Sequence, residues 1–369
     1  MRFLTADYLY PLYIDPIKEG VLQISDKGEV ISVFEDRKCV PKEKLEFFDG
    51  ILCPGFINAH CHLEISHLFG KVDKKQGLLD FIKAIKKRDD FNKKDILDAI
   101  EAAEQQMIKN GIVAVGDICN TTDTLYQKQK KNLRYYNFIE VFGVLDQNAN
   151  KIINKAKDLK NQFRDSGLIA TISPHSPYSV PKKLMQEILR SFDQKDELLT
   201  IHFQESDQET NLFENKKGEL FSWLKAIHAS SSIWERRNKS TDILQELANK
   251  KVLLVHNTVA KKTDISSNYY CSCPKANLFI ENKIPDYSIF NPHKLCVGTD
   301  SLASNNSLSI LEELQVIKEN SSFDLNTLLK IGSKNGAEAF GFAQLGTFDT
   351  GKTPGVNLIS ELSNVEVIA

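Results

Sequence analysis

Residues 51–62 read Ile-Leu-Cys-Pro-Gly-Phe-Ile-Asn-Ala-His-Cys-His, an apolar run that ends in two histidines separated by a single residue. Side chains at positions i and i+2 of an extended strand point to the same side, so His60 and His62 can reach one point. The fifty residues before this run consist of short strands and turns, with a hairpin predicted around Asp26-Lys27-Gly28. The run therefore marks the start of a second architecture.

From Ile51 onward, short apolar runs rich in β-branched residues alternate with longer, charged stretches of helical period. The clearest helix is predicted over residues 95–110, where Ile96, Ile100 and Met107 fall on one face. Other helices are predicted over residues 150–163, 181–192 and 307–320. Eight strands are predicted, at residues 51–59, 111–118, 134–144, 168–173, 198–203, 252–255, 269–273 and 294–298.

This alternation predicts an α/β fold in which eight parallel strands close as a (β/α)₈ TIM-type barrel. The alternative is an open doubly wound sheet, but no glycine-rich phosphate-binding fingerprint follows an early strand. Strand-and-turn segments at both chain ends predict one small β domain. The predicted divisions are residues 1–50 and 345–369 for the small domain and 51–344 for the barrel. Residues 208–249 are predicted to form either an active-site lid or an extra pair of helices.

Composition excludes several classes of partner. The chain of 369 residues has 47 Lys and Arg against 49 Asp and Glu, which gives no electrostatic case for nucleic acid or an anionic membrane. There is no 18-residue apolar run and no signal-peptide pattern at the N-terminus. Seven scattered cysteines are typical of reduced thiols, so a cytoplasmic location is predicted. The basic run at residues 128–131 is interpreted as a solvated face.

Histidines concentrate at the predicted strand ends. Five of the eight histidines lie there, and one aspartate follows the eighth strand: His60, His62, His175, His202, His256 and Asp300. The carboxyl ends of barrel strands meet at one mouth, where barrel enzymes carry their active sites. The pattern therefore predicts a polar site at this mouth.

Neutral imidazoles from His60, His62 and His202 suit a divalent cation such as zinc, and an open coordination position leaves room for water. A bound metal lowers the pKa of that water to about 7 and makes hydroxide available at neutral pH. Asp300 would approach the water as a metal ligand, as a proton acceptor, or in both roles. Imidazole and oxygen ligands do not distinguish zinc from iron.

Two further side chains can handle protons. Glu205 lies three residues after His202 and could carry a proton to a ring nitrogen or a leaving group of the substrate. His256 could orient the attacking hydroxide or stabilise developing negative charge on oxygen. Together with the metal site, these residues predict hydrolytic chemistry.

The motifs resemble those of the amidohydrolase superfamily, and more narrowly its branch of cytosine, guanine and adenosine-derivative deaminases and triazine chlorohydrolases. They occur in the family order as Pro54-Gly-Phe-Ile-Asn-Ala-His-Cys-His62, His202-x-x-Glu205, Leu254-Val-His256 and Gly298-Thr-Asp300-Ser. The resemblance covers residues 50–345, and the flanking β segments resemble the family's composite β-sandwich. It implies that the HxH pair, the strand-five histidine and the strand-eight aspartate bind one metal ion. It also implies that Glu205 and His256 assist proton transfer.

The resemblance also narrows the subtype. Binuclear members carry a carboxylated lysine on strand four, and residues 168–175 contain no lysine, which implies a single metal ion. The HxxE pair implies deamination of a purine, pterin, pyrimidine or adenosine-like heterocycle with release of ammonia. The continuation His62-Leu-Glu-Ile-Ser is similar to aminodeoxyfutalosine deaminases. A homodimer is the family expectation. The alternatives are hydrolysis of a cyclic amide or chlorinated heterocycle, and a non-catalytic amidohydrolase-like scaffold.

Four residues receive less specific predictions. His175 resembles a substrate-contacting residue of nucleoside-type deaminases, with a loop histidine as the alternative. Glu64 is predicted to hydrogen-bond the substrate or to be a plain loop carboxylate. Ser301 and Asn305 are predicted either to hold Asp300 in place or to cap the helix that follows.

Overall fold

The computed structural model describes residues 1–192, 197–360 and 364–369. The strands of this part are β1 (Arg2–Thr5), β2 (Tyr8–Leu9), β3 (Ile17–Lys18), β4 (Val21–Ile24), β5 (Val30–Phe34), β6 (Leu45–Phe47), β7 (Ile51–Pro54), β8 (Phe56–Cys61), β9 (Ile112–Cys119), β10 (Arg134–Val141), β11 (Ile169–Pro174), β12 (Leu198–Phe203), β13 (Lys251–His256), β14 (Tyr269–Ser272), β15 (Leu295–Val297), β16 (Val356–Ser360) and β17 (Asn364–Val367).

The helices between the strands follow the predicted alternation. They are α1 (Leu78–Ile85), α2 (Lys93–Lys109), α3 (Leu125–Gln129), α4 (Ala149–Asp165), α5 (Lys182–Arg190), α6 (Asp207–Thr210), α7 (Glu219–Ala226), α8 (Ile243–Glu246), α9 (Pro274–Ile280), α10 (Ile310–Glu319), α11 (Leu325–Gly332) and α12 (Lys334–Phe340). Helix α2 begins where the Asn92 side chain accepts a hydrogen bond from the backbone N–H of Asp95. It buries the predicted face, including Ile100 and Met107. None of the described helices is long and apolar enough to cross a membrane.

Eight of the strands form two parallel sheets of four, in the orders β11-β10-β9-β8 and β12-β13-β14-β15. All six residues of β8 and of β12 are buried. Burial along whole strands is expected when helices cover both faces of a parallel sheet. The mixed α/β content and the sites of the predicted strands are therefore confirmed.

The predicted first strand is wrong in one respect, because residues 51–59 do not form one strand. The strand stops at Pro54 and resumes at Phe56, so β7 and β8 belong to different sheets. A Cβ atom on Gly55 would lie 2.3 Å from Cγ1 of Val113 and 2.7 Å from the carbonyl oxygen of Pro354. Only glycine permits this close approach, and the chain changes sheets there.

The remaining strands form two sheets from the chain ends, ordered β5-β4-β1-β6 and β17-β16-β7-β2-β3. Strand β16, near the C-terminus, pairs antiparallel with β7. The predicted hairpin is present as β4 and β5, with Gly28 at a φ of +77°. Leu4, Leu22, Leu52 and Val356 share one buried apolar cluster, so head and tail of the chain pack together.

The interpretation of residues 128–131 as a solvated face is wrong for Lys128. Its side chain is fully buried, and Nζ donates hydrogen bonds to Asp117 at 2.5 Å and to Oδ1 of Asn137 at 2.7 Å. Asp117 also accepts a hydrogen bond from the backbone N–H of Leu63 at 2.8 Å. The buried ion pair therefore supports the segment that carries His62.

Residues 207–246 form short helices rather than one connecting helix. Leu220 and Leu224 of α7 pack in one apolar cluster with Leu78 and Leu79 of α1. Arg237 is almost fully buried, and its guanidinium donates hydrogen bonds to backbone carbonyls of the loop after β11, those of Pro177 (2.8 Å) and Val180 (3.2 Å). Helix α7 of this segment also lies against the cavity described below.

Candidate active site

Strand β8 delivers two imidazoles to one point. The Nε2 atoms of His60 and His62 lie 3.2 Å apart. Strand β12 brings His202 to the same place, with its Nε2 3.2 Å from that of His62. The ring of His60 is completely buried. Three ring nitrogens from two strands thus face one another, as the spacing predicts.

Asp300 completes this group from the loop after β15. Its Oδ1 lies 3.5 Å from Nε2 of His60 and 3.4 Å from Nε2 of His62. The backbone N–H of Asp300 donates to the carbonyl of His60 at 3.0 Å, which ties β15 to β8. A Cβ atom on Gly298 would lie 2.7 Å from the backbone N of His60, so the approach requires glycine.

The donor set fits a divalent cation. Metal bonds of about 2.0–2.1 Å in a tetrahedral site separate neighbouring ligand atoms by roughly 3.3 Å, close to the observed spacings. Nδ1 of His202 lies 2.9 Å from the carbonyl oxygen of His175, and only the ring nitrogen of this pair can donate. The proton on Nδ1 leaves the Nε2 lone pair of His202 directed at the other ligands. His60, His62, His202 and Asp300 can therefore hold one ion.

Electrostatics favour the unprotonated donors that a metal requires. Burial lowers the pKa of His60 and His202, and it lowers the pKa of His62 to about 3. Burial opposes ionisation of Asp300, but its hydrogen bond with His60 and the nearby His62 hold the pKa of Asp300 below its ordinary range. At neutral pH the group thus consists of neutral imidazoles and one carboxylate.

A second pair of predicted residues lies beside this group. Oε1 of Glu205 lies 3.7 Å from Nε2 of His256, and both side chains are buried. Oδ1 of Asn277 accepts a hydrogen bond from Nδ1 of His256 at 2.8 Å, which leaves Nε2 as the proton acceptor. Burial, followed by the charges of Asp300 and other carboxylates, raises the pKa of Glu205 well above its ordinary value. This shift favours the protonated acid over the carboxylate at Glu205.

Backbone strain marks the strand ends at this site. Gln204, His256 and Asp300 have φ values of +49°, +73° and +56°, in the left-handed region that side chains other than glycine disfavour. Glu209 of α6 stabilises one of these turns, because its fully buried carboxylate accepts a hydrogen bond from the backbone N–H of Glu205 at 3.2 Å. The sequence did not single out Glu209, although it lies one helical turn beyond Glu205.

His175 and Glu64 have different surroundings. His175 lines the cavity, and its Nδ1 lies 3.0 Å and 2.9 Å from the hydroxyls of Ser176 and Ser179. The Glu64 carboxylate accepts hydrogen bonds from the Asn120–Thr121 backbone and from Arg88. Glu64 is not among the residues that line the described cavity, so the geometry favours its alternative as a loop carboxylate.

The residues after Asp300 support its loop. Ser304, which the sequence analysis missed, donates a hydrogen bond to Oδ2 of Asp300 at 2.5 Å, and Ser301 contacts Ser304 at 3.0 Å. Asn305 donates to the carbonyl of Thr299 at 2.8 Å. The alternative that Ser301 or Asn305 caps the next helix is wrong, because Ser309 is the N-cap of α10.

A cavity of about 630 Å³ opens above these groups. Its lining includes the candidate ligands His62, His202 and Asp300 together with Glu205, whereas α1 and α7 supply apolar residues that include Phe81, Ile85 and Trp223. Trp234 packs edge to face on Phe221 with ring centroids 5.4 Å apart. The polar residues of the wall that were not predicted include Arg88, Asn120 and Glu140.

The sequence of this chain is similar to a known protein family and to named deaminases. A sequence model described as "Amidohydrolase family" matches residues 51–367. Adenosine deaminase from Helicobacter pylori is 27% identical over 319 residues, covering 81% of this chain and 76% of that protein. Aminodeoxyfutalosine deaminase from a Nitratiruptor species is 26% identical over 373 residues, covering 95% of this chain and 90% of that protein.

The crystal structure of Helicobacter pylori aminofutalosine deaminase in complex with methylthio-coformycin is similar to this chain with a TM-score of 0.83. The two are 24% identical, and the match covers 98% of this chain and 93% of that one. The fold similarity and the family match imply a TIM-barrel fold, the class that the strand alternation predicts. The named relatives are deaminases, which are hydrolases of C–N bonds other than peptide bonds.

Proposed function

The chain belongs to the amidohydrolase family, and from this premise we propose that it is a metal-dependent aminohydrolase of adenosine-like heterocycles that releases ammonia. One observation carries the proposal. The Nε2 atoms of His60, His62 and His202 face one another, Oδ1 of Asp300 lies within 3.5 Å of the first two, and the Glu205–His256 pair lies in the same cavity. The relatives named as deaminases of adenosine and aminodeoxyfutalosine support the choice of substrate class.

We propose that the cofactor is a single zinc ion held by His60, His62, His202 and Asp300, with iron as the alternative. Three findings support one ion. The donor spacings fit one ion, and β11 carries no lysine that could bridge two metals. The group of His60, His62 and His202 also shares His60 with one of the two other candidate groups and His202 with the other. When bound, the ion supplies an acidified water molecule as the nucleophile at neutral pH.

The chain's own residues would then manage the protons. Burial raises the pKa of Glu205 well above its ordinary value, which favours the acid form, and this acid can donate to the ring nitrogen beside the amino-bearing carbon and make that carbon more electrophilic. Nε2 of His256 can accept a proton from the attacking water, because Asn277 fixes the tautomer. Transfer of protons to the amino group lets the C–N bond break and ammonia leave. The net reaction consumes one water molecule and forms the oxo heterocycle.

The shape of the cavity supports a substrate larger than a free base. A volume of about 630 Å³ lies within the range of ligand sites for drug-sized molecules, so a purine ring alone would leave much of it unfilled. The lining also includes apolar side chains of α1 and α7, among them Phe81 and Leu224. These features favour a nucleoside with an apolar extension.

We propose a closed barrel for the two parallel sheets. Support comes from hydrogen bonds at both seams, where His202 N–H donates to the His175 carbonyl at 2.9 Å and Asp300 N–H donates to the His60 carbonyl at 3.0 Å. The terminal sheets share an apolar cluster, which favours the predicted β-sandwich of residues 1–50 and 345–369, extended to include β7. The homodimer expected from the family resemblance stays a prediction, which light scattering after size exclusion tests.

An ammonia-release screen tests the function. The purified chain is assayed with adenosine, 5′-deoxyadenosine, adenine, guanine, cytosine and a chlorinated triazine, before and after chelation and after zinc is restored. We expect zinc-dependent ammonia release from the adenosine derivatives. A matched control is His293→Asn, because His293 is exposed and precedes β15 at the end opposite Asp300. Chloride release without ammonia, or no turnover of any heterocycle by the zinc-loaded chain, would reject the proposal.

A further inference from the structure

Glu140, near the end of β10, is a buried acid on the cavity wall with one oxygen unpaired. Its side chain is only 5% exposed. Oε2 accepts a hydrogen bond from Nδ2 of Asn120 at 3.1 Å. In residues 1–192, 197–360 and 364–369, no donor lies within hydrogen-bonding distance of Oε1. Oε2 of Glu140 is therefore held by a hydrogen bond, whereas Oε1 has no hydrogen-bond donor among the described residues.

The polar groups nearest to Glu140 already have other partners. Nδ1 of His202 lies 3.6 Å from Oε1, but it donates to the carbonyl of His175 at 2.9 Å. Arg88 donates to Oδ1 of Asn120 at 3.1 Å and to Glu64 at 3.3 Å. Asn120 thus links Arg88 to Glu140 and fixes the orientation of the carboxylate.

A buried acceptor without a donor destabilises a protein by about 1–3 kcal/mol. Such groups are rare in native structures and each calls for an explanation, and ligand pockets use a few placed polar groups to orient the ligand. Glu140 lines the same cavity as the candidate metal ligands, so a bound substrate can reach it. Oε1 is therefore an acceptor that a hydrogen-bond donor on a bound substrate can satisfy.

We propose that Glu140 forms a sugar subsite, in which Oε1 accepts a hydrogen bond from a ribose hydroxyl of a nucleoside substrate. The inference rests on the proposed function and narrows it from heterocycles to nucleosides that keep this hydroxyl. Glu140 would act as a specificity-determining residue and would not take part in breaking the C–N bond.

The arrangement of the strands explains why the donor belongs to the sugar. Glu205 follows β12 and His256 ends β13, and the proposed function assigns this pair to the reacting ring, whereas Glu140 and Asn120 lie at the ends of β10 and β9. A substrate that contacts both groups must extend beyond its reacting ring. The Arg88 guanidinium beside Asn120 disfavours a cationic substituent here, so a neutral hydroxyl is the fitting donor.

A second metal ion is the alternative partner for Glu140. Glu140, His175 and His202 each offer a ligand atom within 4.8 Å of the others. His202 cannot serve this group through Nδ1, because that nitrogen carries the proton of its hydrogen bond to His175. Its Nε2 faces His62 in the first group. A sugar hydroxyl therefore explains Glu140 better than a cation does.

Glu140→Gln and the wild-type chain are compared by kcat/KM with adenosine, 2′-deoxyadenosine and 3′-deoxyadenosine. We expect the wild type to prefer adenosine at least tenfold over one of the two deoxynucleosides, a measurement that needs no variant. Glu140→Gln should lower kcat/KM for adenosine about tenfold or more, since hydrogen bonds to charged groups contribute about 1.5–3 kcal/mol. For the deoxynucleoside that lacks the bonded hydroxyl, it should change kcat/KM less than twofold.

Glu338→Gln is the matched control, because Glu338 is half-exposed on α12 and does not line the cavity. Equal losses on all three substrates, or no wild-type preference among them, would overturn the subsite alone. Two metal ions in the wild type and one in Glu140→Gln would show a metal site and also overturn it. If the wild type deaminates only free bases, the subsite and the nucleoside part of the proposed function both fail.

Discussion

Oε1 of Glu205 lies 3.7 Å from Nε2 of His256, and the two side chains reach this position from successive strands of one parallel sheet. Burial raises the pKa of Glu205 well above its ordinary value and so favours its protonated form, while the hydrogen bond from Nδ1 to Asn277 leaves His256 with a free lone pair on Nε2. One residue can therefore donate a proton while its neighbour accepts one. This division of roles is what hydrolytic deamination requires.

Glu205→Gln tests the proton donor. The amide has nearly the same shape but no acidic proton, so we expect kcat to fall at least about 100-fold, within the usual range for loss of general acid–base catalysis. Metal content should be unchanged, because Glu205 is not among the candidate ligands. Steady-state ammonia release and metal analysis measure both quantities. A variant with wild-type kcat would exclude the donor role.

Glu209 is expected to act on catalysis through the backbone of Glu205. Glu209→Leu removes the acceptor of the Glu205 N–H hydrogen bond and frees the strained turn at Gln204. We expect kcat to fall about tenfold or more with little change in KM or metal content. Glu209→Gln keeps an acceptor oxygen and should restore most of kcat. Equal losses in both variants, or loss of metal in Glu209→Leu, would contradict this positioning role.

The buried ion pair of Lys128 and Asp117 makes a prediction about stability. Lys128→Met leaves the Asp117 carboxylate buried without its counter-charge and should lower the free energy of unfolding by about 3–5 kcal/mol. Lys83→Met removes the cation of the exposed ion pair with Asp80 and should change the free energy of unfolding by less than about 1 kcal/mol. Urea denaturation of the three proteins gives the comparison. Similar midpoints for both variants would refute the structural role of Lys128.

Glu313 should make stability depend on pH. Burial raises its pKa from 4.5 to about 8, although the backbone N–H of Lys275 and the Asn305 amide donate to it. The folded state then binds a proton that the unfolded state releases between about pH 4.5 and 8. Stability from this residue is present below that window and is lost as the pH rises through it.

The slope attributable to Glu313 is at most about 1.4 kcal/mol per pH unit. Glu313→Gln cannot titrate, so its unfolding free energy should fall less than that of the wild type between pH 5 and 8. Chemical denaturation at several pH values measures the two slopes. Parallel slopes for the two proteins would show that Glu313 does not titrate in this window.

Simple periodicity predicted much of the site. The i, i+2 spacing predicted that His60 and His62 reach one point. The rule that parallel strands end on one side of the sheet predicted that His202 and Asp300 lie beside them. Glu205 and His256 followed from the same rule. Each of these residues lies at or just after a strand end, where local sequence and fold topology agree.

Other features depend on contacts between distant segments, which one sequence does not reveal. Lys128 is buried because Asp117 from β9 pairs with it, whereas the basic residues beside it in the sequence led to the prediction of a solvated face. Glu140 matters because of an unpaired oxygen that only the packed structure shows. The break at Gly55 depends on Val113 and Pro354, which lie far along the chain.

Metal analysis of ligand variants tests the central claim most directly. The wild type, His202→Ala and Asp300→Ala are dialysed against the same zinc buffer, with His293→Asn as the control, and bound zinc is determined by mass spectrometry. If these side chains bind one ion, we expect one zinc ion per chain in the wild type and the control, and a large loss of zinc in both ligand variants. Two ions per wild-type chain, or full occupancy in His202→Ala and Asp300→Ala, would contradict this claim.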